Sequence, residues 1–374
     1  MKNEAEILLD LVAIPSVSGM SNRPVIDYAL GHLNPDVWHT RLYPYRDAAG
    51  TDKINLVATT GNPQDKAELV LVCHTDTVPF DPAWDEAVHP VVRNGKLYGR
   101  GSCDVKAFLA CILASVSRLD TPRLSKPLAI LLTADEEIGC VGAKYIAGQS
   151  VLRSRYAIVG EPTGLRPVVA GKGYALAEIV VRGKEGHSAF PERGHSAIYD
   201  AARIVARLER VAKKLGSRKN AGFDPPYTTL NVGLIRGGTA KNIVPGECRI
   251  TVEWRPIPGQ DPMWASVLID TELARLRKSY PKLDAVLDVK RVDPAFEPAA
   301  TNNLAALLQS LSRRRSDTVS FGTEAAHLRS VIDEIIVFGP GNMETAHKSG
   351  EFVPLPELKK CTAILEATIK KLCA

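Results

Sequence analysis

The chain has 374 residues, 45% of them hydrophobic and 24% charged, which is the balance of an ordinary globular protein and excludes a disordered or collagen-like one. At about 150 residues per domain, this length makes one large domain or two ordinary ones. The formal net charge of +5 is too small over such a length to make nucleic acid or an anionic membrane the expected partner.

At the N-terminus, Ile7, Leu8, Leu11 and Val12 alternate with Glu4, Glu6 and Asp10. This spacing predicts an amphipathic helix with an acidic face rather than a signal peptide. The longest apolar stretch, Ala107 to Val116, falls short of the roughly 20 residues a membrane-spanning helix needs. Seven cysteines, an odd number without CxxC spacing, are expected to be unpaired thiols of a cytoplasmic protein.

Leu69 to Cys73, Leu128 to Thr133 and Tyr156 to Val159 are short apolar runs that read as buried strands. Between the first two, Val105 to Leu119 is apolar on more than one face, as a well-covered helix would be. From about Lys172 the pattern changes. Tyr174 to Arg182 alternates, with Ala175, Ala177, Ile179 and Val181 on one side, so a strand with one face against helices is expected. A helix over His195 to Leu215, strands over Thr229 to Ile235 and Cys248 to Trp254, a helix over Asp261 to Tyr280 and a strand over Leu283 to Val292 complete a β-α-β-β-α-β order. The apolar strand Ile335 to Phe338 and a helix from about Leu355 close the chain. The expected fold class is α/β: a helix-covered mixed β-sheet domain of residues 1–173 and 293–374, interrupted at 174–292 by a two-layer α+β domain of ferredoxin-like order.

Acidic and imidazole residues cluster where the apolar runs stop. After the first run come His74 and Asp76; in extended chain residues i and i+2 point the same way, so Asp76 can lie beside His74. A carboxylate accepting the second ring N–H would fix the tautomer of a ligating imidazole. Asp104 sits just before the buried helix and, taken by itself, reads first as its N-cap. Asp135, Glu136 and Glu137 follow the second run directly, a crowding of carboxylates that needs cations to offset it. Glu161 follows the third run and His347 the last. Open α/β sheets place their sites at such strand ends, and imidazole with carboxylate suits Zn²⁺, with Co²⁺ or Mn²⁺ as substitutes.

Taken together, CHTDTVP, GKLYGRGSCDVK, TADEE, GEPT and GPG…AHK…E resemble the motifs of the dinuclear-zinc aminoacylase/carboxypeptidase family, over about Ile14 to Glu351. The resemblance implies that His74, Asp104 and Glu161 hold one ion and that Asp104, Glu137 and His347 hold the other. By the same likeness, Asp76 orients His74 and Glu136 is the general base toward the water between the ions. In the inserted domain, which the family uses as a lid and dimerisation domain, His187 would face the oxyanion from the partner subunit of a homodimer. Asn242, Arg255 and the loop at Gly341 would contact an N-acyl amino acid. PYTTLNVG (Pro226 to Gly233) and Thr323-Glu324-Ala325 resemble the branch that deacetylates Nα-acetyl-L-ornithine in arginine synthesis. Relatives acting on succinyl-diaminopimelate, acetylcitrulline or general acyl amino acids are the alternatives, and a catalytically silent binder a remote one. Ornithine's free amine calls for an acidic subsite, for which Glu324 and Glu344 are candidates. Three positions depart from the family pattern: Ala107, Trp254 before Arg255, and Ser349-Gly350 after Lys348.

Overall fold

The computed structural model describes residues 2–119 and 123–374. The chain forms two compact units, one of Met1–Val169, Pro298–Asp317 and Thr323–Ala374, the other of Ala170–Glu297 and Thr318–Gly322. The first unit opens with helices α1 (Glu4–Val12) and α2 (Arg23–Leu30) and strands β1 (His39–Arg46), β2 (Asp52–Thr59) and β3 (Ala67–His74). The short strands β4 (Val91–Arg93) and β5 (Lys96–Tyr98) precede α3 (Lys106–Arg118), β6 (Leu128–Thr133), α4 (Val141–Gln149) and β7 (Ser154–Val159). Strand β8 (Val168–Gly171) leads into β9 (Tyr174–Arg182), β10 (Gly186–His187), α5 (Ala197–Leu215), β11 (Thr229–Gly237), β12 (Ile243–Val244), β13 (Glu247–Arg255), α6 (Trp264–Ser279) and β14 (Asp284–Asp293). The remainder is α7 (Asn303–Ser312), β15 (Asp317–Val319), α8 (Ala325–Leu328), β16 (Ile332–Val337), β17 (Phe352–Pro354) and α9 (Leu355–Cys373).

An eight-stranded mixed sheet has the order β1-β2-β6-β3-β7-β16-β8-β15. Its middle strands β6, β3, β7 and β16 run parallel, with Cys73 opposite Leu132, Val72 opposite Val159, and Val337 opposite Val159. Parallel strands are covered on both faces and so read as unbroken apolar runs, which is why the sequence reveals them. Leu128, Ile130 and Leu132 share one core with α1, α3, α7 and α9. Alternate residues Ala129 and Leu131 are buried on the other face. Helix α3 is buried without a break from Lys106 to Val116, the condition its all-round apolar sequence requires. Gly160 is demanded by this packing: a Cβ there would lie 2.1 Å from the Phe108 ring, so the glycine lets α3 press against the strand end that carries Glu161.

The β1/β2 hairpin has no counterpart in the sequence reading. Strand β1, HTRLYPYR, is an exposed edge that tolerates Pro44 and presents no apolar run.

In the second unit, strands β11-β13-β9-β14 form a four-stranded sheet whose neighbours are all antiparallel. Ala175, Ala177, Ile179 and Val181 are wholly buried with Ile204, Leu208, Ile269 and Leu273 of α5 and α6, the layered arrangement their alternation predicts. Strand order and element order together are ferredoxin-like, as expected. Trp254, one of the departures from the family pattern, is a core anchor whose indole N–H donates to Pro262 O at 2.7 Å. A separate two-residue ladder pairs His187 with Ile243.

Candidate metal centre

Strands β3, β6 and β7 end side by side, and the residues that leave them converge. His74 closes β3, Glu136 and Glu137 follow β6, and Glu161 follows β7. His74, Asp104 and Glu161 bring one ligand atom each within 4.8 Å of one another, and so do Asp104, Glu137 and His347. Asp104 belongs to both sets: its Oδ1 lies 3.3 Å from His74 Nε2 and its Oδ2 lies 3.1 Å from His347 Nε2. His347 Nε2 is also 3.2 Å from Glu137 Oε1. Asp104 is no helix cap, since α3 begins at Lys106 behind Val105 with no side-chain capping bond.

The ring of His74 has a fixed orientation. Its Nδ1 lies 3.0 Å from the backbone oxygen of Asp76, which can only accept, so Nδ1 carries a hydrogen. Nε2 is the nitrogen turned toward Asp104, available to an ion once it gives up its own proton. The Asp76 carboxylate does something other than the sequence spacing implies. It stands 3.6 Å from that nitrogen, beyond hydrogen-bond distance. Instead it accepts from the backbone amides of Glu136 at 3.1 Å and Glu137 at 3.3 Å and from Ser18 Oγ at 2.7 Å. Asp76 therefore orients His74 through its main chain and pins the Glu136–Glu137 segment through its side chain.

Beside that segment, Asp135 takes a hydrogen bond from Tyr45 at 2.8 Å and pairs with Lys53 at 2.7 Å. Lys53 and Asp135 are both enclosed, with side chains 1% exposed. Asp135, Cys140 and His347 all have positive φ, at 60°, 51° and 59°, a conformation that costs about 1–3 kcal/mol for such residues and concentrates at functional loops.

Electrostatically the centre has an excess of buried negative charge. Burial pushes the carboxyl of Glu136 well above its ordinary range, and Glu137, Glu324 and Asp104 add to this. Burial does the same to Glu161, reinforced by Asp104, Glu136 and Glu137. Asp104 goes the other way: against its burial, hydrogen bonds to His347 and His74 hold it far below the usual carboxylate range. His347 is pushed up to about 10 by its bonds to Asp104 and Glu137. In the protein alone, the imidazoles thus act as the cations. Such a donor set suits one or two small divalent ions in their place.

Glu136 stands in neither ligand set, and its Oε1 has the Cys140 thiol 3.4 Å away. Gly341 lies in the loop before His347 with φ 86°, and a Cβ on it would sit 2.5 Å from Cys103 Sγ. Its amide donates to Glu357 Oε2 at 2.8 Å. In the second unit, His187 is exposed on β10, next to Asn242, whose carbonyl accepts from Ser188 N at 3.0 Å. Arg255 ends β13 over the Tyr174 ring, 4.8 Å from its centroid, and 3.9 Å from Glu253. Glu344 is exposed, whereas Glu324 is only 1% exposed. Lys53 and Ser18, which support the centre, escaped the sequence reading because each lies far along the chain from the residues it holds. Glu351 reads there only as the end of a motif, with no role.

Paired imidazole–carboxylate sets at the ends of parallel strands, with a further carboxylate outside both, define a metal-dependent hydrolase. The chain belongs to Peptidase family M20/M25/M40, which matches residues 70–371. It is 45% identical over 368 residues to acetylornithine deacetylase of Myxococcus xanthus, covering 98% of this chain and 96% of that protein. It is 32% identical over 377 residues to acetylornithine deacetylase of Proteus mirabilis, again over 98% of this chain and 96% of the relative. Among solved structures, an M20 family metallo-carboxypeptidase from Sulfolobus solfataricus superposes with a TM-score of 0.78 at 20% identity, over 99% of both chains. A tripeptidase from Staphylococcus aureus gives 0.76 at 23% identity, over 99% of this chain and 98% of that one. At these identities the two structures establish the fold.

Proposed function

We propose that the protein hydrolyses Nα-acetyl-L-ornithine to L-ornithine and acetate, a step of arginine synthesis, using Zn²⁺, with Co²⁺ or Mn²⁺ able to replace it. The observation that carries the substrate is 45% identity to an acetylornithine deacetylase along nearly the whole chain. In this reading His74, Asp104 and Glu161 hold one ion and Asp104, Glu137 and His347 the other. Bound there, divalent ions supply Lewis acidity toward the acyl carbonyl and lower the pKa of water. Glu136, fixed by the Asp76 bonds to its own and the next amide, takes the proton of the attacking water and delivers it to the leaving amine. His187 donates to the developing oxyanion, Arg255 pairs with the α-carboxylate through its guanidinium fork, and Asn242 and the Gly341 loop complete the substrate contacts.

Amine release from Nα-acetyl-L-ornithine is expected from zinc-loaded protein and is expected to vanish after chelation and return on adding Zn²⁺. Acetylcitrulline, acetylmethionine and N-succinyl-diaminopimelate are the comparison substrates. Faster release from any of them would keep the chemistry and reassign the substrate, whereas turnover that survives complete chelation would overturn the metal role.

A homodimer through the second unit is part of the same reading. Its support is the exposed edge strand β11, where Leu234 and Ile235 are 50% and 53% exposed, near the start of α5 with Tyr199 at 70%. If His187 serves the partner subunit, inactive His187→Ala and Glu136→Gln proteins regain activity when dissociated and mixed. Mixed dimers that stay inactive would rule out the trans arrangement. The cytoplasm is the proposed location; the described cysteines are all buried, and no described helix is long and apolar enough to cross a membrane.

A further inference from the structure

Glu351 lies four positions beyond His347 in the loop that ends at β17. Its carboxylate is fully enclosed, and it faces the other half of the metal centre. Oε1 accepts from the backbone amides of Cys103 at 2.9 Å and Asp104 at 3.0 Å. Oε2 pairs at 2.6 Å with Nη1 of Arg100, whose side chain is only 5% exposed. Arg100 also donates to Pro79 O at 3.3 Å, the residue that ends the segment carrying His74 and Asp76. The backbone repeats the link, with Gly99 N donating to Glu351 O at 3.1 Å. Thr345 and Asn342, on the same loop as His347, contact the Cys103 sulfur at 3.4 Å.

One buried carboxylate thus ties the backbone of Asp104, the residue common to both donor sets, to the loop that presents His347. We infer that Glu351, held by Arg100, is a positioning residue that sets the affinity of the cation site formed by Asp104, Glu137 and His347. The inference rests on the reading that the two sets hold ions. A glutamine at this position has a single acceptor oxygen. It can serve the two amides or Arg100 but not both, and it leaves a buried guanidinium without its countercharge. Ligand loops released in this way lose affinity for the ion they share, typically 10–100-fold for partners just outside a coordination sphere. His74 and Glu161 are anchored on strand ends that Glu351 does not touch, so their ion is affected less.

The test is calorimetric titration of Zn²⁺ into chelator-stripped wild type, Glu351→Gln, His347→Ala and the double variant. Wild type is expected to take up two equivalents. Glu351→Gln is expected to weaken one of them about 10–100-fold and to recover kcat at saturating Zn²⁺. The affected equivalent should be the one that His347→Ala loses, so the double variant binds as His347→Ala does. Equal weakening of both equivalents, or neither weakened despite a lowered Tm, would reduce Glu351 to a general structural role and overturn the inference. If Glu351→Gln does not fold, Glu351→Asp, which shortens the same contact by one methylene, is read by the same criteria. A wild type that takes up no Zn²⁺ at all would instead overturn the metal-centre reading itself.

Discussion

Glu136→Gln is expected to lower kcat by about 10²–10⁴-fold, the usual contribution of a positioned general base, with zinc content unchanged. The argument is geometric. Glu136 stands outside both donor sets, so an isosteric amide removes a proton acceptor without removing a ligand. The backbone stays in place because the bonds from Asp76 reach the amides of residues 136 and 137, not the side chain. Glu137→Gln is the informative contrast: it replaces an atom of the proposed donor set and is expected to release metal as well as activity. Single-turnover kinetics beside elemental analysis of both variants separates the two roles. Turnover in Glu136→Gln within a few-fold of wild type would remove Glu136 from the chemistry.

The largest expected effect on stability comes from Lys53→Met. Lys53 donates from inside the protein to Met20 O at 2.9 Å and to Asp135 at 2.7 Å, and it also bonds Ser18 O. Removing one member of a buried pair leaves the other charge uncompensated, at a cost of about 3–5 kcal/mol. Asp135 already shows the strain of its position: burial pushes its carboxyl up, with Lys53 and Tyr45 offsetting only part of it. Enclosed ion pairs as a class cost more to break at one partner than to replace at both. Lys53→Met/Asp135→Asn is expected to regain part of the loss, since asparagine tolerates the left-handed backbone of Asp135 and still accepts from Tyr45. Denaturant unfolding of the single and double variants measures this. A double variant no more stable than Lys53→Met would show that the lysine acts by packing rather than charge.

What the sequence reveals of this protein follows from where the physics is local. Buried parallel strands announce themselves, and the proposed ligands sit at their ends, so His74, Glu137 and Glu161 are readable from the residues where apolar runs stop. Asp104 is not readable by spacing, because an aspartate before a helix looks like a cap until the helix is seen to start two residues later. The direction of the Asp76 carboxylate is illegible for a related reason. The i, i+2 rule holds for extended strand, but β3 ends at His74, and the side chain beyond it turns to amides some 60 residues away. Glu351 and Lys53 act across long stretches of chain, on backbone groups and on the side chains of Arg100 and Asp135, so spacing along the sequence gives neither a role. Strand β1 is hidden because an exposed edge has no need of an apolar pattern.

The position of β16 carries a consequence for how the protein is made. This strand lies between β7 and β8 in the sheet, pairing Val337 with both Val159 and Val168, yet it is synthesised only after the entire second unit has emerged. Until then β7 presents an unpaired apolar edge, and the loop bearing His347 does not exist. The second unit, whose four strands come from one continuous stretch, has no such wait. On the ribosome the second unit has all four strands before the larger sheet does, and completing the larger sheet waits on slow, long-range pairing with β16.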